Sequence, residues 1–116
     1  MTSKDELRAL ADRVAALTGP FRAADHWIFM ATAQRDAANY WHPTEGHRYT
    51  ASLDAAMSLV PADAFWRVGH DGEGPDPSDF RADVLMVPGA RHIARAATPA
   101  LALTAAALRA IAETVE

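Results

Sequence analysis

No cysteine occurs in the 116 residues, which excludes a disulfide framework, a thiol nucleophile and a Cys-based zinc site, and suits a reducing compartment. No apolar run approaches the roughly 18 residues that a membrane span requires. A secretory leader is not expected either, because Met1-Thr2-Ser3-Lys4-Asp5-Glu6 is too acidic. Basic side chains are in deficit, 11 against 15 acidic ones, and the net charge is −4. That balance disfavours non-specific duplex binding through phosphate neutralisation. What the chain has in quantity is alanine, 27 residues, leaving 31 larger apolar side chains. That suffices for one small core but leaves little room for a deep enzyme cleft. A single soluble, cytoplasmic domain over 1–116 is the expectation.

Hydrophobic spacing organises the chain. Leu7, Leu10, Val14 and Leu17 form one stripe, predicting a helix from Lys4 to Leu17, with Ser3 and Glu6 as a capping box and Gly19-Pro20 as its stop. A second helix is predicted from Pro20 to Ala33 with Phe21, Ala24, Ile28 and Ala31 on one face, while Trp27, Phe29 and Met30 extend its apolar surface. Residues 34–48 lose all period and are expected to be an irregular loop. Thr50 or Ser52 can cap a third helix with Leu53, Met57 and Val60 on its inner face, ended by Pro61. Three strand patterns follow. Ala64–Gly69 and Phe80–Val87 alternate in polarity, and Arg91–Ala96 begins after the Pro88-Gly89 turn signal. Between the first two, residues 69–79 carry three glycines, two prolines and four carboxylates, predicting a mobile acidic hairpin loop. Thr98-Pro99 starts a final helix whose stripe is Leu101, Ala105, Leu108, Ala112 and Val115, widened by Ile111. The fold class expected is α+β: a small helix–sheet(–helix) sandwich with a three-stranded antiparallel meander, two to three N-terminal helices and one C-terminal helix. Both terminal helices are expected on the sheet.

Several stretches carry a family likeness. Tyr49-Thr50-Ala51-Ser52-Leu53-Asp54-Ala55-Ala56, then Leu59-Val60-Pro61 and Trp66, resembles the signature of the small phage ABA-sandwich domain proteins. Ala96-Ala97-Thr98-Pro99-Ala100-Leu101-Ala102-Leu103 with Ala106-Ala107-Leu108-Arg109-Ala110 is similar to that family's closing helix, as Leu17-Thr18-Gly19-Pro20 is to an earlier segment. The resemblance implies a three-layer helix–sheet–helix arrangement and a phage or prophage origin. It implies no catalytic motif.

Several chemistry-bearing residues also have simpler, structural explanations. His42, Glu45 and His47, with His70 or Asp71, supply metal-ligand types, but Pro43 and Gly46 preclude a helical His pair, so a polar loop without metal or cofactor is expected. Asp25-His26 juxtaposes a carboxylate and an imidazole, yet adjacent helical residues point about 100° apart. There is no Gly-x-Ser-x-Gly elbow, Walker loop or Gly-x-Gly-x-x-Gly, so enzymatic activity is not expected. With Trp66, Val84 and Met86 facing the core, Arg67, Arg81, Asp83, Arg91 and Arg95 fall on the opposite sheet face. Either a second layer covers their stems or that face is open to a partner. Tyr40, Trp41 and Tyr49 with His42, His47 and Arg48 supply interface residue types.

The expected function is therefore a phage accessory protein acting by protein–protein binding, such as an inhibitor of a host defence complex of the anti-CRISPR kind. A virion structural or assembly component is the alternative, and a small enzyme the third class. The expected contact residues are Trp41, His42, Arg48 and Tyr49 with the loop acids Asp71, Glu73, Asp76 and Asp79. The partner is expected to be a host or phage protein, not a specific nucleic acid sequence or a membrane. The sequence leaves oligomeric state open, a homodimer included.

Overall fold

The structure is a computed structural model, and it describes residues 3–33, 48–61, 64–70, 80–86 and 89–114. The elements are α1 (Lys4–Ala15), α2 (Arg22–Ala33), α3 (Leu53–Met57), β1 (Phe65–His70), β2 (Phe80–Leu85), β3 (Arg91–Ala96) and α4 (Pro99–Glu113). This is the expected α+β fold, with an antiparallel meander in the order β1-β2-β3.

Three of the four helices among the described residues, α1, α3 and α4, start on a side-chain cap. Ser3 Oγ accepts from Glu6 N at 3.1 Å and Thr98 Oγ1 from Leu101 N at 3.2 Å, each satisfying a backbone donor that the first turn leaves over. Ser52 Oγ does the same for α3, accepting from Ala55 N at 3.3 Å. Thr50 has a different partner. Its hydroxyl accepts from Phe21 N at 2.9 Å and donates to Asp25 Oδ1 at 2.8 Å, while its amide donates to the same oxygen at 2.8 Å. Asp25 and Thr50 are both buried, so this latch fixes the start of α2 to the turn before α3. Two sequence readings shift. The N-terminal helix stops at Ala15, short of Leu17. In α3 the buried residue is Ala56, followed by Leu59 beyond the helix end, whereas Met57 is exposed. A five-residue helix makes little more than one turn, so its packing follows its neighbours more than any stripe.

The largest difference concerns α4. Its alanine-rich sequence reads as one stripe, but the helix is buried on nearly every side, with Ala100 to Leu108 and Ala110 to Ile111 and Ala112 all inside. It touches all three strands and also α1 and α3. Accordingly α1 has α4 as its main neighbour and meets the sheet chiefly at β3. Alanines cause this arrangement. Ala82, Ala94 and Ala96 on the sheet and Ala102, Ala105, Ala106 and Ala107 on α4 are all in the core, and small contact residues allow close interaxial approach. One buried hydroxyl crosses the helix surface, Thr104 Oγ1 donating to Tyr49 O at 2.9 Å. At the other side Arg109 donates to Ile93 O at 2.6 Å and to Asp12 Oδ1 at 2.9 Å, joining β3, α4 and α1. The β2–β3 hairpin closes with Met86 N donating to Ala90 O at 3.2 Å. Gly89 there has φ +155°, and a Cβ would lie 2.9 Å from Met86 Cβ, so the turn requires glycine.

Two stability measurements check this architecture. An exposed helical alanine accepts leucine at almost no cost, but Ala106 is fully buried; Ala106→Leu is expected to destabilise by about 1–3 kcal/mol in urea unfolding through overpacking. A wild-type midpoint would mean that this side of α4 is a surface. Thr50→Val removes a hydroxyl that serves both Phe21 and Asp25, and the expected loss is about 1.5–3 kcal/mol, the scale of a buried hydrogen bond to a charged group.

Candidate functional site

Strand alternation sorts the sheet into two faces. Register pairs Trp66 with Val84 and Val84 with His92, and Val68 with Ala82 and Ala82 with Ala94; these positions lie on the side toward α4. The opposite face is a lattice of three rows. Phe65, Leu85 and Arg91 form the first, Arg67, Asp83 and Ile93 the second, and Gly69, Arg81 and Arg95 the third. Among the described residues no helix covers this face. Phe65 is 69% exposed, Ile93 38% and Leu85 37%.

Asp83 organises the centre. Arg67 Nε donates to its Oδ2 at 2.9 Å and Arg81 Nε to its Oδ1 at 3.1 Å. The carboxylate is 10% exposed while the Arg67 side chain is 79% exposed. Burial pushes the Asp83 carboxyl up, but the hydrogen bonds and positive charges of Arg81 and Arg67 outweigh it and hold it below the ordinary value. Two adjoining depressions share Arg67 and Asp83. One, of about 250 Å³, continues along Phe65, Leu85 and Arg91. The other, of about 470 Å³, continues along Gly69, His70, Arg81 and Arg95. Four arginines and one carboxylate give this face a local charge of +3 on a chain of −4.

The arginine-bearing face was therefore legible in the strand alternation, whereas the exposure of its apolar members Phe65, Leu85 and Ile93 was missed. Its signal was present, since these three occupy the same alternate positions as the arginines. Of the loop residues expected at a partner surface, Arg48 is exposed, and its carbonyl accepts from Ala51 N at 3.0 Å and Ser52 N at 2.8 Å. Tyr49 is not available on the surface: it is 4% exposed, within the core, because the latch at Thr50 and the bond from Thr104 draw this turn inward. Trp41, His42, Asp71, Glu73, Asp76 and Asp79 lie outside the described residues, as do most of 34–48 and 69–79; Gly69 and His70 belong to β1. Asp25 is turned inward to Thr50 while His26 is exposed, so the two do not form an acid–base pair. Among the described residues no group of three or more His, Asp or Glu is placed to hold a metal.

A second exposed apolar area runs along α2. Phe21, Trp27 and Met30 are each more than two-fifths exposed. Phe21 meets Trp27 edge to face at 5.9 Å between centroids, and the Arg13 guanidinium sits 6.0 Å from the Trp27 ring. No protein-family model, curated protein or solved structure matches the chain.

The Asp83 centre has a signature in acid. Its folded pKa lies below the unfolded one, so its contribution is present above the ordinary carboxylate range and is lost as pH falls through the lowered value. Glu113 behaves alike: the hydrogen bond to His92 Nε2, at 2.6 Å, is the main influence lowering it. Thermal midpoints measured against pH are expected to fall on acidification through and below that range, with a shallower acid limb in Asp83→Asn. Parallel curves would show that Asp83 is not linked to folding.

Proposed function

We propose that this chain is an accessory protein that works by binding another protein through the open face of the sheet, without catalysing a reaction. The observation that carries the reading is the exposure of Phe65 and Leu85 in register with Arg91, and of Ile93 in the row of Arg67, beside Arg81 on one face of the three-stranded sheet. Aromatic and arginine side chains supply most of the energy at interface hot spots, since they bury large area at modest entropic cost. The strand lattice fixes their backbone positions, which lowers the ordering cost of binding. Likeness to the small phage ABA-sandwich domain proteins supports a phage or prophage setting, and hence a host or phage protein as partner in the bacterial cytoplasm. Among the described residues no helix is long and apolar enough to cross a membrane.

Within that class the leading form is an inhibitor of a host defence complex, of the anti-CRISPR kind. Such an inhibitor needs a stable scaffold and one adhesive face, and no chemistry of its own.

The test has a biochemical arm and a cellular one. Immobilised wild-type protein is expected to retain a defined protein from host lysate that Phe65→Asp fails to retain, with unchanged unfolding of the variant. Expression in cells carrying an active targeting nuclease is expected to restore plating of a targeted phage, again lost in Phe65→Asp. Retention unaffected by Phe65→Asp and Ile93→Asp would remove the sheet face as the interface.

A further inference from the structure

We propose that Arg67 and Arg81, held side by side by Asp83, form a clamp for carboxylate side chains, so that the segment received by this face is an extended acidic stretch carrying an apolar residue. The inference rests on the protein-binding reading above and specifies the chemistry of what is bound.

The clamp follows from how Asp83 spends its two oxygens. Each accepts from an Nε, one from Arg67 and one from Arg81. A guanidinium has five N–H donors in a fixed plane, and the Nε bond occupies one of them. Neither arginine gives its terminal NH2 groups to another acceptor among the described residues. Asp83 is shielded from solvent and Arg67 is not, so the carboxylate acts as a pivot beneath the surface with donor-rich ends above it. Fixing both guanidiniums in advance lowers the ordering cost when a ligand arrives. Planar donor pairs of this type match carboxylate oxygens in two-point contacts.

The rows of the lattice decide the rest. Positions on one face of a strand recur every second residue, roughly 6.6–6.8 Å apart, and an extended peptide has the same repeat. A peptide lying along the strands therefore sets alternate side chains over successive rows. Over the first row it meets Phe65 and Leu85, which suits an apolar side chain; over the next two it meets Arg67 and then Arg81. The pattern read out is apolar–x–acidic–x–acidic.

A carboxylate is favoured over a nucleic-acid phosphate for two reasons. The positive face is confined, and the chain as a whole is −4, so a long polyanion that overruns the face is repelled, whereas a short acidic segment is not. Single-stranded nucleic acid also needs successive aromatic platforms for its bases. On this face Phe65 is the one aromatic among the described residues, and its neighbours Leu85 and Ile93 are aliphatic.

Fluorescence anisotropy with defined probes tests the proposal. The probe is a fluorescein-labelled peptide with one Leu and two Glu at alternate positions separated by Ser; its twin carries Gln for Glu; the third is an oligothymidine of matching length. Saturable binding of the Glu peptide at low ionic strength is expected, with affinity lowered about tenfold or more by the Gln replacement or by Arg67→Glu, as for loss of a close charge pair. Arg81→Gln serves as a second variant, and urea unfolding verifies that both fold. The clamp is overturned by equal binding of the two peptides, by indifference to both variants, by tighter binding of oligothymidine, or by no peptide binding at all. The two readings separate in lysate. A partner lost by Phe65→Asp but kept by Arg67→Glu and Arg81→Gln overturns the clamp alone. A partner kept by all three variants overturns the sheet-face reading as well.

Discussion

Everything in this fold depends on burying one helix from all sides. Helix α4 is flanked by the sheet and by α1 and α3, and nearly all its side chains are inaccessible to water. An ordinary amphipathic helix has one face to bury and one to solvate. Here alanine removes the need for a solvated face. It is the best helix former, loses no side-chain entropy and lets other elements approach closely. The cost is a thin core: with so many alanines, each of the larger side chains Leu7, Ile28, Leu101, Leu103 and Leu108 fills a disproportionate share of it. Polar anchoring at Thr104, Thr50 and Asp25 then fixes which way the turns dock on that slender interior.

Much of this was visible in the order of residues. Caps at Ser3, Ser52 and Thr98 and the three strands depend on neighbours close in sequence, and local chemistry determines them; the stop expected at Pro61 did not hold, since α3 already ends at Met57. The role of α4 was not visible, because an alanine-rich helix looks the same whether one flank or every flank is covered. Thr50 was ambiguous for a related reason. A threonine three residues before a helix reads as a cap, and only the arrival of α2 shows that its hydroxyl serves Phe21 and Asp25. Met57 and Tyr49 failed in opposite directions, the first exposed and the second buried, since each sits where chain ends or turns meet a distant surface.

The candidate site shows a similar division. Alternation placed Arg67, Arg81, Asp83, Arg91 and Arg95 together, and the register confirms them as adjacent rows. Whether another layer covered them was a long-range question. The loop aromatics attracted attention as interface residue types, yet one of them, Tyr49, supplies core volume and a carbonyl to Thr104. Charge segregation sets this face apart from the rest of the chain. A chain that is acidic in total carries a basic surface when one small sheet collects four of its arginines on one side.

The pairing of α1 with α4 also has a consequence in time. Arg109 reaches Asp12 across 97 positions of sequence, and α1, whose buried side chains include Leu7, Leu10 and Val14, has α4 as its principal neighbour. During synthesis, at roughly 5–20 residues per second, the first helix must therefore remain without its partner until nearly all of the described chain has emerged. Its apolar stripe is open to chaperones and proteases for that interval. A product arrested before α4 has strands that lack a layer to lie on and a first helix that lacks a seat. Release of the final helix is thus the step that commits the molecule, and incomplete chains stay recognisable as such to the quality-control machinery of the cell.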